Sequence, residues 1–232
     1  MQRKDNYAQW RRDWRARFLS QDKAALQRNL PWLSLREDTL VVRYFIWDVA
    51  IDLRTGEMTA PISLALYDEM NIFTRLWYSR PGAVAAGEMV PFAQLRHASP
   101  YAPAFQRGNL ETLAAAFSGR AAALERGLVA LGGRKLTGGD VAYEVDAFPD
   151  FPVAVRFWDG DEEFPAQVNL LFDRNATDLI HVESVVTIAS QLQAHLERLA
   201  GEMGKMLYGG MPTCRRGEFS AGCGHPALRI PL

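Results

Sequence analysis

The strongest constraint on this chain is local: Asp159-Gly160 separates two apolar runs, 153–158 and 167–172. Tight type I′ turns need positive φ at both central residues, and Asp-Gly supplies them most readily. The pattern therefore predicts an antiparallel hairpin, with a returning strand that includes Gln167 to Phe172. A neighbouring strand is expected over 141–147, set off from 153–158 by Phe148-Pro149-Asp150-Phe151-Pro152. A second strand-rich stretch covers 39–51, where Leu40, Val42, Tyr44 and Ile46 alternate with Val41, Arg43, Phe45 and Trp47. That mixture predicts one or two strands at least partly buried on both faces. Thr55-Gly56 then returns the chain as a hairpin.

Helical spacing marks the remainder. Tyr7, Trp10, Trp14 and Phe18 recur on one side of a helix expected over about 6–19, with Arg11, Arg12, Arg15 and Arg17 between them. Such a helix either docks on the core by its aromatic stripe or offers a basic, aromatic surface to a membrane or nucleic acid. Ser20 is the expected N-cap of a short second helix ending before Pro31, and Pro61 the first position of a helix over 62–78. Loops follow to Gly108, with a short helix expected around Pro91 to Leu95. Asn109 is the expected cap of a long helix stopped by Gly132-Gly133. A C-terminal helix begins at Asp178 or Ser184, and the chain reads as irregular from Gly201. Strands in clusters, with helices before and between them, favour an α+β fold, mainly antiparallel, over a regular βαβ alternation.

A chain of 232 residues with no internal repeat or low-complexity linker reads as one domain over 1–232. The helical segment 1–30 and the glycine-rich tail 203–232 are its appendages. The formal charge of −1 gives the protein as a whole no electrostatic pull toward nucleic acid. No apolar run approaches the roughly 20 residues a membrane-spanning helix needs, and the arginine-rich N-terminus lacks a signal core. A cytoplasmic location is therefore expected. Two cysteines, Cys214 and Cys223, exclude a disulfide framework.

P-loop, paired-histidine zinc-helix and serine-elbow patterns are absent. Three constellations remain. Asp159, Asp161, Glu162 and Glu163 crowd carboxylates at the hairpin tip; Asp161 and Glu163 are candidate ligands for a divalent metal, which takes oxygen donors. The same residues also suit a solvated turn. Asp173, Asn175, Asp178, His181 and Glu183 form a second group, with Asp173, Asp178, His181 and Glu183 as candidate ligand-binding residues. A strand of about eight residues places Asp173 at the opposite end of the hairpin from Asp159. Capping and turn formation would equally explain Asp173 and Asp178. His181 and Glu183, two apart, share a face of an extended segment and are candidate acid–base residues. Cys214, Cys223 and His225 carry donors that suit zinc, iron or copper(I), but fall short of a closed four-ligand site.

Phe157-Trp158-Asp159-Gly160-Asp161-Glu162-Glu163-Phe164-Pro165, followed by Leu170-Leu171-Phe172-Asp173 and the segment 178–183, resembles an uncharacterised bacterial and archaeal family. It is a domain of unknown function found largely in anaerobes. The resemblance extends from about Leu40 to Leu199 and implies a shared fold without an activity. Some members carry an attached iron–sulfur domain, for which this chain has no cysteine cluster. Three readings follow: an accessory protein holding a small ligand or metal near 159–183, an enzyme using His181 and Glu183, or a module that docks a protein partner or homodimerises.

Overall fold

The computed structural model describes residues 2–208, and side chains within 6–201. Two helices open the chain, α1 (Gln2–Ser20) and α2 (Lys23–Asn29). The first sheet follows: β1 (Ser34–Arg36), β2 (Thr39–Tyr44), β3 (Trp47–Asp52) and β4 (Met58–Thr59), antiparallel in sequence order. Next come α3 (Leu66–Trp77), β5 (Met89–Pro91), and a helical stretch running through α4 (Ala102–Phe105) and a π turn into α5 (Glu111–Phe117). The rest is α6 (Ala121–Ala130), β6 (Arg134–Lys135), β7 (Val141–Phe148), β8 (Phe151–Trp158), β9 (Gln167–Asp173), α7 (Ala176–Leu179) and α8 (Val182–Tyr208). Strands β5 to β9 form a second antiparallel sheet in the order β5-β9-β8-β7-β6. Among the described residues the fold is α+β with two antiparallel sheets, as the strand pattern implied.

Alternation explains how each sheet finds its core face. Leu40, Val42 and Tyr44 pair with Ile51, Val49 and Trp47, and all six are buried. In the second sheet Val145, Val153 and Phe172 form one row, and Val141, Phe157 and Val168 another. These rows lie on one face because side chains repeat every second residue. The sheets meet where the β2–β3 turn touches β7: Phe45 donates its N–H to the Ala147 carbonyl at 2.9 Å. Phe45 sits at φ 48°, an unusual conformation for a bulky residue. Its ring packs edge-on against Tyr44 at 4.8 Å. Helix α6 packs on β7 and α8. It approaches α8 at Gly127, where a Cβ would lie 3.2 Å from a methyl of Leu196.

Several local expectations shift. Helix α2 is capped by Asp22, whose carboxylate accepts from the Ala24 and Ala25 N–H groups, in place of Ser20. Helix α3 starts at Leu66 rather than near Pro61, because Asp68 reaches back to the Ala65 N–H at 2.8 Å. Asn109 caps nothing. It lies buried inside the π turn and donates to the Val186 carbonyl and Ser190 Oγ of α8. The long helix expected after it breaks at Ser118-Gly119-Arg120, where Gly119 adopts φ 68°. At the C-terminal end α8 runs on through Gly201 to Tyr208. The expected short helix near Pro91 is a 3₁₀ turn over Phe92–Gln94.

A buried polar seam joins α3 to α8. Asp68 Oδ1 lies 3.1 Å from His195 Nε2, Asn71 Oδ1 accepts from Thr187 Oγ1 at 2.5 Å, and Thr74 Oγ1 meets Ser184 Oγ at 2.9 Å. Asn71 Nδ2 donates to the Tyr44 hydroxyl, linking the seam to the first sheet. Burial, reinforced by the Asp68 charge, holds the Tyr44 phenol well above its ordinary value. Arg75, 2% exposed, reaches Asp150 in the β7–β8 turn at 2.5 Å and the Leu179 carbonyl at 3.2 Å. Burial pulls the Arg75 guanidinium below its ordinary value, against the pull of Asp150. Replacing Asp68 by Ala strands both His195 Nε2 and the Ala65 N–H. We expect Asp68→Ala to lower unfolding free energy by about 3–5 kcal/mol, read from the urea midpoint, whereas Asp146→Ala, at the exposed pair that Asp146 makes with Arg134, costs about 1 kcal/mol or less.

Candidate functional site: an aromatic groove beside the N-terminus of α8

Beside the seam, α3 carries Tyr67, Met70, Thr74 and Trp77, spaced i, i+3, i+7, i+10, with Thr74 shared between the seam and this stripe. This spacing makes one stripe about 15 Å long. Two helices flank it. Helix α1 runs alongside, held by Arg11 on Glu69 through two hydrogen bonds of 2.8 and 3.0 Å and by Phe18, which is fully buried against Phe73. Trp14 stacks on Phe73 at 6.5 Å and meets Trp77 edge-on at 6.3 Å. On the other side the first turns of α8 run antiparallel to α3, fixed by the seam. The stripe becomes the floor of an open groove of about 530 Å³, walled by Trp10, Trp14 and Arg17 on one side and Glu183, Ser184 and Thr187 on the other. Small-ligand clefts are typically roughly 300–1,000 Å³ and mostly apolar with a few polar groups.

The polar groups gather at one end. His181 precedes α8 and caps it: its carbonyl accepts from the Ser184 N–H at 2.9 Å, and its Nδ1 accepts from the Glu183 N–H at 3.3 Å. The Glu183 carboxylate lies 3.8 Å from that same Nδ1 and accepts from the Tyr101 hydroxyl at 3.3 Å. The Glu183 charge raises the Tyr101 phenol above its ordinary value. Tyr78 lies against the His181 ring at 5.7 Å. Glu183 near the first turn of a long helix is also well placed in the helix dipole field. Two sequence candidates, His181 and Glu183, thus share one groove, and they are brought together by helix capping rather than by an extended strand.

The other candidates lie elsewhere. Asp173 is 2% exposed, and its carboxylate accepts from the N–H groups of Ala86, Gly87 and Asn175 at 2.7–2.8 Å. It pins the loop before β5 to the end of β9. Asp178 pairs with Arg96. Asp161 forms its own turn, accepting from Glu163 and Phe164 N–H groups at 2.9 and 2.7 Å, which holds its carboxyl below the ordinary range. Glu163 is exposed beside it. Among the described residues no three His, Cys, Asp or Glu side chains gather as a metal site. Cys214, Cys223 and His225 lie outside the described residues.

The hairpin itself departs from its signal. β8 and β9 pair from Trp158–Gln167 to Val153–Phe172, so the connection spans 159–166 and Gly160 has no positive φ. Asp159 instead accepts from the Gly119 N–H at 2.7 Å, and a Cβ at Gly160 would lie 2.9 Å from the Ala166 nitrogen. Glycine is required there for close approach. The expected separation holds: Asp173 pairs with Met89 at the far end of the sheet from Asp159.

Sequence reasoning missed the floor of the groove and Tyr101. The available signal was the helical spacing of Tyr67, Met70, Thr74 and Trp77, four apolar or weakly polar side chains in one row along α3. For Tyr101, in a 3₁₀ turn over Ser99–Tyr101, no local pattern points to Glu183, 82 residues away.

Two antiparallel sheets, with a helix-walled aromatic groove, define an α+β protein carrying a candidate small-ligand site. Residues 23–194 match the family described as a domain of unknown function, DUF3786, and the chain belongs to that family. The match takes in α3, Tyr101 and the start of α8, and leaves out α1 with Trp10, Trp14 and Arg17. No match was found among curated proteins or among solved structures. No helix among the described residues is long and apolar enough to cross a membrane.

The Tyr101–Glu183 contact has a measurable consequence. A phenol whose folded value is raised stays protonated as pH rises past 10.0, its ordinary value, and the stability it contributes is present below that pH and lost above it. We expect Glu183→Gln to bring the Tyr101 titration back toward 10.0, measured as phenolate absorbance after subtracting the Tyr101→Phe variant. An unchanged titration would show that the two groups do not meet.

Proposed function

We propose that this is a cytoplasmic accessory protein that holds a small organic ligand in the groove between α1, α3 and the start of α8. One observation carries the reading: His181 and Glu183 open onto the same aromatic groove, with Tyr78 and Tyr101 beside them. Aromatic walls supply contact area at low entropic cost, and the convergent polar end supplies orientation. Exposed rings support the assignment further, since Tyr67 is 46% and Trp77 44% exposed. A groove already closed by its own side chains would not leave them so.

A metal at Asp161 and Glu163 has less support, because the Asp161 carboxylate already serves two backbone N–H groups. Acid–base chemistry on a bound ligand is a second reading. It is favoured by the 3.8 Å approach of His181 Nδ1 and the Glu183 carboxylate at the groove wall.

The six tryptophans divide cleanly: Trp10, Trp14 and Trp77 line the groove, while Trp32, Trp47 and Trp158 do not. Native mass spectrometry of protein purified without chelators, followed by a small-molecule screen read on the indole N–H resonances, tests the reading. Ligands should shift the three groove indoles and leave Trp32, bonded to Asp150 at 2.9 Å, in place. Hits that move all six alike, or a screen that moves none, would sink it.

A further inference from the structure

Building on the groove as a ligand site, we propose that its ligand is an organic cation, a protonated or quaternary amine with an apolar body. The aromatic faces come from three elements, with Trp14 on α1, Tyr67 and Trp77 on α3, and Tyr101 on the 3₁₀ turn. Ring quadrupoles present negative faces to a cation, and cages of such rings are the usual means of recognising alkylammonium groups.

The chain itself demonstrates the attraction. The Arg17 guanidinium lies 4.9 Å from the Trp14 ring centroid and 5.6 Å from that of Trp77. No carboxylate among the described residues pairs with it. It is exposed, and it rests on the rings without an anionic partner. A side chain held only this way swings into water easily, leaving both ring faces to a ligand cation. Arg17 is a resident occupant of the cation position, not a counter-ion for an anion.

The counter-charge is Glu183, among the described residues the one carboxylate lining the groove. The Tyr101 hydroxyl fixes its orientation by donating to Oε1. His181 Nδ1, the ring nitrogen nearer the carboxylate, accepts the Glu183 N–H at 3.3 Å and stands 3.8 Å from the carboxylate. The Glu183 side chain is 64% exposed at the groove wall, so its charge stays open to a ligand beside the Tyr101 hydroxyl and His181. The raised Tyr101 phenol agrees with a negative charge at that end.

Three probes of nearly equal shape separate the alternatives on the full chain: 2-phenylethylammonium, 2-phenylethanol and phenylacetate, titrated against the groove indole resonances. The ammonium should bind about tenfold more tightly than the alcohol, and phenylacetate more weakly than either. Glu183→Gln should remove that advantage while leaving the alcohol unchanged. Arg17→Ala should tighten the ammonium, since it clears the competing cation. Equal binding of ammonium and alcohol overturns the charge class but leaves the groove as a ligand site. So does preferential binding of phenylacetate that is lost in Arg17→Ala. If none of the probes moves a groove indole, the cation assignment falls, and the wider screen decides whether the groove binds ligands at all.

Discussion

Everything at the candidate site depends on the polar seam between α3 and α8. Asp68, Asn71 and Thr74 stand one helical turn apart and meet His195, Thr187 and Ser184 in antiparallel order. Apolar packing alone tolerates sliding by a fraction of a turn, because it is non-directional. Buried hydrogen bonds do not, since each displaced donor or acceptor would be left unsatisfied. The seam therefore sets where along α3 the first turn of α8 begins. That register places His181 and Glu183 beside Trp77 and Tyr78. Arg75 extends the same logic, tying α3 to the β7–β8 turn through Asp150 and to the end of α7 through the Leu179 carbonyl.

Helix α1 adds the second wall by different means. Much of its surface is polar, so it cannot act as a core helix in its own right. Three aromatic side chains, Trp10, Trp14 and Phe18, gather around Phe73, and Arg11 bridges to Glu69. The stripe that reads as a docking face in the sequence thus has two duties. Phe18 docks, whereas Trp10 and Trp14 remain half-exposed and line the groove. Because the family match begins at residue 23, the domain shared with the family carries the floor and the Glu183 wall, and α1 stands outside that match.

The acidic segment shows how the same residue types acquire unequal roles. Asp161, Asp173 and Glu183 all look like potential ligands in the sequence. Asp161 is committed to its own turn, Asp173 to three backbone N–H groups, and only Glu183 faces a groove. The difference lies in which backbone donors lie nearby, which depends on chain segments far away in sequence. Asp159 is similar, since its partner Gly119 comes from the break between α5 and α6.

The sequence by itself determined the two strand clusters, the Thr55-Gly56 return and the separation of Asp173 from the hairpin tip. These follow from side-chain periods of two and from turn chemistry, which act over a few residues. Helix ends were less legible, because Asp22 and Asp68 outcompete the more conspicuous Ser20 and Pro61 as starting signals. The Asp-Gly signal correctly marked a connection between paired strands but not its length, since Gly160 serves close packing rather than a positive φ. Only the tertiary structure decided that His181 and Glu183 share a groove with Tyr101, Trp14 and Trp77. Those residues lie on separate elements, and what brings them together is hydrogen-bonded register between α3 and α8 and the docking of α1 on Phe73 and Glu69, long-range choices that no local period encodes.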